Sequence, residues 1–374
     1  MPYFALFDDA VSGRAKLYQN HVESHRFYHN ELDSLTSILQ VGWKKGLHAV
    51  LFADYEFGLP LMDIPSGRSG SLRLHWFADY SEIDAENWLT YHSDGLEAGI
   101  STPRFSVSEA DYLEHIRQIH EAIRRGDTYQ INYTARLHLQ TYGNPIQLYR
   151  RLRQPVPYAV LSCLPDGAGQ EAWTLCFSPE LFLKIDSDGL ITTEPMKGTA
   201  PILHDGQDER RAVELRNDPK NRAENVMIVD LLRNDLSMVA DNVQLEEFQR
   251  IDFIKTRQRN LYAMSSKITG ELKPEFQGNI GDILQKLLPA GSILGAPKMK
   301  TLEIVLEAEN YQRGFYTGVC GWFDSRNLDS CVMIRFIEKE NEKFYFKSGG
   351  GITHMSQLED EYQEMKNKIY VPIY

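Results

Sequence analysis

A lysine fixed between a proline and a glycine heads the residues able to do chemistry: Lys197, within Glu194-Pro195-Met196-Lys197-Gly198-Thr199. Lysine is seldom buried without a partner, and as a neutral amine Lys197 would be a nucleophile. Carboxylates form a second group. Glu361 and Glu364 stand three apart on a helical stretch near the carboxyl end, with Lys368 four further on, so all three project from one face. Just ahead lie Gly349, Gly350 and Gly351 at a strand end, where bare amides can approach an anion closely. Glu224 sits on the polar side of another helix, and facing Glu364 across a cleft it would supply hard oxygen ligands for Mg²⁺. No His/Cys spacing suits zinc. Ser292 to Lys298 forms a tight turn opening a helix whose amino end can seat an anion, but it lacks the Walker pattern for a nucleotide. Arg335, in the apolar run Cys331 to Phe336, needs a partner, either a ligand carboxylate or an internal acid.

These groups need a scaffold, and its elements follow from periodicity. Leu183 to Asp186 and Gly189 to Thr193 flank Ser187-Asp188-Gly189 as a hairpin, placing Lys197 just beyond a strand. Tyr112, Ile116, Ile119, His120 and Ile123 predict a helix over Glu109 to Arg125, ended by Gly126, with a strand from Tyr129 to Thr134 after it. Ala223, Val226, Met227 and Leu231 predict a helix after Pro219, and Gln357 to Lys368 a last one. Strands are expected at Phe315 to Phe323, Cys331 to Glu338 and Lys343 to Lys347. The first hundred residues supply short strands such as His48 to Ala53 and Leu72 to Phe77, one helix near Glu31 to Leu39, and little chemistry. An α+β protein with large sheets follows, and no Gly/Ser-rich or Pro-rich hinge divides its 374 residues.

Composition removes several classes of function. With 40 Lys and Arg against 52 Asp and Glu, the net charge of -12 argues against a nucleic-acid partner. Cys163, Cys176, Cys320 and Cys331 show no C-x-x-C spacing, so reduced thiols are expected. No basic leader precedes an apolar run, and no stretch approaches about 18 apolar residues, so a cytoplasmic protein off the membrane is expected.

Taken together, several segments resemble the chorismate-utilising enzymes. They are Phe177-Ser178-Pro179-Glu180, Pro195 to Thr199, Asn221 to Asp235, Gly291 to Lys298, Tyr316-Thr317-Gly318, Ile334-Arg335 and Gly349 to Lys368. The resemblance spans roughly residues 105 to 370 and is looser over 1 to 104, where Ala53-Asp54-Tyr55-Glu56 carries it. It implies one large domain over 1 to 374, with a four-layer α/β/β/α core of two packed antiparallel-rich sheets flanked by helices. It also implies that Glu224 and Glu364 hold Mg²⁺ against the ring carboxylate of chorismate, with Glu361 behind them. Arg335 and Tyr316 would grip the enolpyruvyl carboxylate, while Gly351, Thr199 and Lys368, beside Gly349 and Gly350, would meet the ring carboxylate. Glu180 would protonate the departing C4 hydroxyl.

Within the family the pattern is similar to the branch that aminates chorismate at C4 for 4-aminobenzoate and folate synthesis. Water-using members have a lysine where this chain has Gln130, and anthranilate-forming members have an alanine where it has Lys197. The resemblance thus implies ammonia from a separate glutamine amidotransferase subunit, with Lys197 as covalent nucleophile. Four positions depart from the family pattern: Asn221 for aspartate, Ala263 for histidine or glutamine, Ala290 for glycine and Leu294 for threonine. Losing the Asn221 charge is expected to weaken Mg²⁺ binding.

Overall fold

The protein is described by a computed structural model over residues 3–64, 70–93, 95–100, 104–139, 141–167, 169–254, 260–340 and 343–367. Antiparallel pairing passes from strand to strand in one continuous order. From one edge it runs Ala240–Ile254, Leu261–Leu272, Leu190–Glu194, Leu181–Ile185, Leu328–Val332, Val319–Phe323, His48–Ala53 and Leu72–Ile83. It continues through Arg14–Phe27, Phe4–Asp9, Tyr158–Pro165, Glu171–Ser178, Phe336–Glu340, Lys343–Thr353 and Gln130–Leu139. Strands of the first hundred residues therefore lie in the middle of the order, not beside it.

Alternate side chains of a strand face opposite ways, and here both faces are apolar. Val50, Phe52 and Phe77 from one half meet Val160, Leu164, Cys176 and Phe336 from the other in a single inner cluster. Their neighbours in sequence face outward. Leu51, Leu74, Trp76 and Val332 pack under helices Asp33–Lys44, Pro219–Val239 and Ile280–Leu287. Leu6, Leu161 and Leu175 pack under Ala85–Ser93 and Pro145–Leu152. Two sheet halves with helices outside each give the expected four-layer α+β core. Among the described residues no helix is long and apolar enough to cross a membrane.

Local signals explain the boundaries. Ser108 accepts the Asp111 amide at 3.1 Å to start helix Glu109–Arg125, and Gly126 ends it in the left-handed region at φ 81°. Three expected strands differ. Phe315–Gly318 is a turn, so that strand begins at Val319. The run Cys331 to Glu338 is cut at residues 333–335, where Arg335 takes φ 51°. The glycine triplet lies inside strand Lys343–Thr353 rather than at its end.

A buried ion pair underlies the 313–318 turn. Arg313 donates through Nε and Nη2 to Glu309 at 2.7 Å each, and through Nη2 to the Asn132 carbonyl at 2.8 Å. Glu309 also accepts from the amide and hydroxyl of Thr134 at 2.7 and 2.8 Å. Replacing Arg313 by methionine leaves the Glu309 carboxylate buried without its counter-ion. Urea unfolding of Arg313→Met is expected to show a loss of about 3–5 kcal/mol, as a lower midpoint with an unchanged slope.

Candidate active site

Lys197 lies just beyond strand Leu190–Glu194, as expected, and falls within a further strand, Met196–Pro201. Met196 pairs with Ser265 and Thr199 with Ala263, so three residue steps on one strand oppose two on the other. The extra residue is a β-bulge at Lys197-Gly198, a device that re-aims a side chain out of regular alternation. Gly198 has φ 82°, and a Cβ there would lie 2.7 Å from Asn221 Oδ1. Helix Pro219–Val239 therefore presses on the bulge through Asn221, the position where the family pattern has aspartate. That helix begins with Asp218 accepting the Asn221 amide at 2.7 Å and proline in its first turn.

Glu180 arrives from the tight connection between strands Glu171–Ser178 and Leu181–Ile185. Its amide donates to Ser178 Oγ at 3.1 Å, and its carbonyl accepts from the Val332 amide at 3.2 Å. Burial raises its carboxyl above the ordinary range, while a hydrogen bond with Ser292 and the charge of Lys197 pull the other way. The proposed acid and nucleophile are thus electrostatic neighbours. Ser292 was singled out only as part of a turn; its contact with Glu180 is a finding of the fold. The turn is held by a pair the sequence did not suggest: Lys298 Nζ meets Asp235 Oδ2 at 2.6 Å. Gly291 lies against the same carboxylate, for a Cβ there would stand 2.7 Å from Asp235 Oδ2.

On the carboxylate side, Glu361 is buried on helix Leu358–Asn367 and meets Lys220 Nζ at 3.5 Å. Lys220 and Glu224 are one turn apart on a common helix face, so this pairing draws Glu361 towards the surface carrying Glu224. Glu364 belongs to the same helix as Glu361, but its side chain lies outside the described residues, as does Lys368. Among the described residues no group of three or more His, Cys, Asp or Glu is arranged to hold a metal ion.

The glycine triplet lies on the strand that leads into helix Leu358–Asn367. Gly349, Gly350 and Gly351 pair with Thr134, Tyr133 and Asn132. A Cβ on Gly349 would lie 2.5 Å from the Tyr133 carbonyl, and one on Gly351 2.6 Å from Gln130 Nε2. Gln130 is buried, and among the described residues its Oε1 has no hydrogen-bond partner. Tyr316 is buried in its turn, which is tied to the strand break by Thr317 N donating to Met333 O at 2.7 Å and Met333 N to Gly318 O at 2.8 Å. Across the break, the Arg335 carbonyl accepts the Phe177 amide at 3.2 Å, three residues before Glu180. The remaining departures have a packing reason: Ala290 and Leu294 belong to the large apolar cluster, and Ala263 is fully buried opposite Thr199.

The chain belongs to the chorismate binding enzyme family, whose pattern it matches over residues 39–373. It is 41% identical over 263 residues to an uncharacterized PabA-like protein of Haemophilus influenzae, covering 70% of this chain and 75% of that one. It is 37% identical over 270 residues to aminodeoxychorismate synthase component 1 of Escherichia coli, covering 71% of this chain and 57% of that one. Its fold matches anthranilate synthase component I of Streptococcus pneumoniae with a TM-score of 0.74 at 22% identity, covering 99% and 89% of the two chains.

The bulge yields a direct test. Gly198→Ala adds a methyl group to a left-handed residue pressed against Asn221. It is expected to cost about 1–3 kcal/mol in thermal or urea unfolding. The same substitution in Gly126, also left-handed but with no atom within 4 Å of a Cβ, serves as the control for backbone strain alone and is expected to cost less.

Proposed function

We propose that this protein is an aminodeoxychorismate synthase component I, which aminates chorismate at C4 to 4-amino-4-deoxychorismate with ammonia from a glutamine amidotransferase subunit. The observation that carries the reading is Lys197 on a bulge beside the buried Glu180. Family membership supports a chorismate-derived substrate, and the name of the Escherichia coli relative supports this branch and a partner component.

In the reaction proposed, the neutral Lys197 amine attacks C2 of chorismate. Both ring double bonds shift by one position, and the C4 hydroxyl departs as water with a proton from Glu180. Hydroxide is a poor leaving group, so this step needs an acid still protonated near neutrality, and burial of Glu180 works in that direction. Ammonia then adds at C4, both double bonds return, and the C2–nitrogen bond to Lys197 breaks. One hard substitution becomes two easier ones. Arg335 and Tyr316 would hold the enolpyruvyl carboxylate, and the amides of the Gly349–Gly351 triplet, with Thr199 and Lys368, the ring carboxylate. The Oε1 of Gln130 cannot deprotonate water as an amine would.

Mg²⁺ fits the donor chemistry, since Glu224 and Glu361 offer hard oxygens and Mg²⁺ completes its shell with water and substrate. Glu224, Glu361 and Glu364 would hold it. Bound there, it would neutralise the ring carboxylate and make the ring more electron-poor.

Purified protein incubated with chorismate, Mg²⁺ and an ammonium salt is expected to release 4-amino-4-deoxychorismate, read by chromatography against standards. Anthranilate as product, or no turnover, would overturn the reading. Glu180→Gln is expected to lower kcat by about 100-fold or more, and kcat/KM of the unaltered enzyme to fall on the alkaline side as the acid loses its proton. Lys197→Ala with full activity would remove the covalent route alone.

A further inference from the structure

A cavity of about 1120 Å³ is lined by Gly314 and Phe315 of the 313–318 turn, and its wall holds an unusual pair. Arg26 of strand Arg14–Phe27 stands directly opposite Arg73 of strand Leu72–Ile83. Like charges directly opposed across an antiparallel pair repel, and sequences ordinarily avoid them unless something lies between. Both side chains line this cavity.

Neither arginine is settled by contacts of its own. Arg73 is half-buried, its Nε has no hydrogen-bond partner among the described residues, and its guanidinium lies 4.7 Å from the centroid of the Phe315 ring. Burial, then the neighbouring Arg26, make its charged form less comfortable than usual, and the carboxylates of Asp54, Asp166 and Glu338 compensate. Those acids have other duties. Asp54 accepts the amides of Phe57 and Ser71 at 2.9 Å each, Asp166 accepts the Gln170 amide at 2.8 Å, and Glu338 is paired with Lys347. The Arg26 guanidinium lies over the backbone of Gly167, where a Cβ would stand 3.1 Å from Nη2, so the loop that carries Asp166 comes close to it.

We propose that this cavity is a second ligand site, specific for a small oxyanion whose oxygens bridge Arg26 and Arg73. Planar guanidinium groups present paired donors that match carboxylate and phosphate oxygens, and two of them side by side suit an anion with at least two oxygens to share. The occupant would rest against Phe315, one residue from Tyr316. Nothing in the inference depends on the reaction catalysed.

Titration calorimetry of the full chain at low salt, with inorganic phosphate in one series and malonate in another, tests the site. Saturable binding tighter than about 5 mM is expected for at least one probe, and the one that binds tells phosphate from carboxylate. Arg26→Met and Arg73→Met are each expected to weaken that binding about tenfold or more. Arg26 is exposed, so its replacement leaves the fold intact and decides the matter even where Arg73→Met unfolds. No saturable binding of either probe overturns the proposal. So does binding that survives the Arg26 substitution unchanged, because the anion then sits elsewhere.

Discussion

The strand opposite the glycine triplet and the turn that carries Tyr316 are tied to one buried ion pair. Arg313 and Glu309 have side chains 0% and 1% exposed, and between them they engage strand Gln130–Leu139 and, through Thr317 Oγ1 at 3.2 Å, the turn that carries Tyr316. The backbone of the same turn is held from two further sides. Glu56 accepts the amides of Arg313 and Gly314 at 2.6 and 2.9 Å, and Lys347 donates to the Arg313 carbonyl at 2.7 Å. A buried ion pair adds little net stability over an apolar replacement, because both charges give up water. Its effect here is geometric: with four of its five N–H donors engaged, the guanidinium ties the segments around it into one arrangement. The looser likeness of the first hundred residues to the family acquires a meaning, since Glu56 is its contribution to this centre.

Position at the reacting end is set differently, by local distortion of strands. Regular alternation would point successive residues to opposite faces, and Lys197 escapes it through the bulge at Gly198. Glu180 escapes it by standing in the tight connection after Ser178-Pro179, and Arg335 by the break at φ 51°. Each distortion gives up ladder hydrogen bonds, and each is compensated nearby: Asn221 packs on the bulge, Val332 donates to the Glu180 carbonyl, and Phe177 donates to that of Arg335. Residues for chemistry thus sit on rigid strands yet point where strands ordinarily do not.

That contrast explains what the sequence could reveal. Helix Glu109–Arg125 was legible to the residue because periodicity, an Ser108 cap and a terminal glycine agree, and the hairpin at Asp188-Gly189 for similar reasons. Lys197, Glu180 and Glu224 could be singled out as candidates because unusual residue types recur in an ordered set of motifs. The bulge, the break at Arg335 and the full length of the Gly349–Gly351 strand were not, since each depends on partners more than fifty residues away: Ser265, Phe177 and Tyr133. The Lys298–Asp235 pair and the contact of Ser292 with Glu180 were hidden for the same reason. Two motifs were visible separately, and only folding shows that they touch.

A fold kept at 22% identity with an anthranilate synthase component carries little information about which nucleophile enters the ring. On the proposed reading, the side chains that select the nucleophile include those at the bulge and at Gln130, while the carboxylate grips would rest on backbone amides and on the turn that the Arg313 centre supports. Gln130 is pinned from three directions. It pairs with Thr353 and Ala296 on either side, and its carboxamide fills the space that the absent side chain of Gly351 leaves. A lysine reaching further from that position would meet the glycine strand instead of the cleft, unless the strand moved. On the proposed reaction, the amine that attacks the ring must then come from the opposite side, and the strand distortion at Gly198 is where the fold makes room for it.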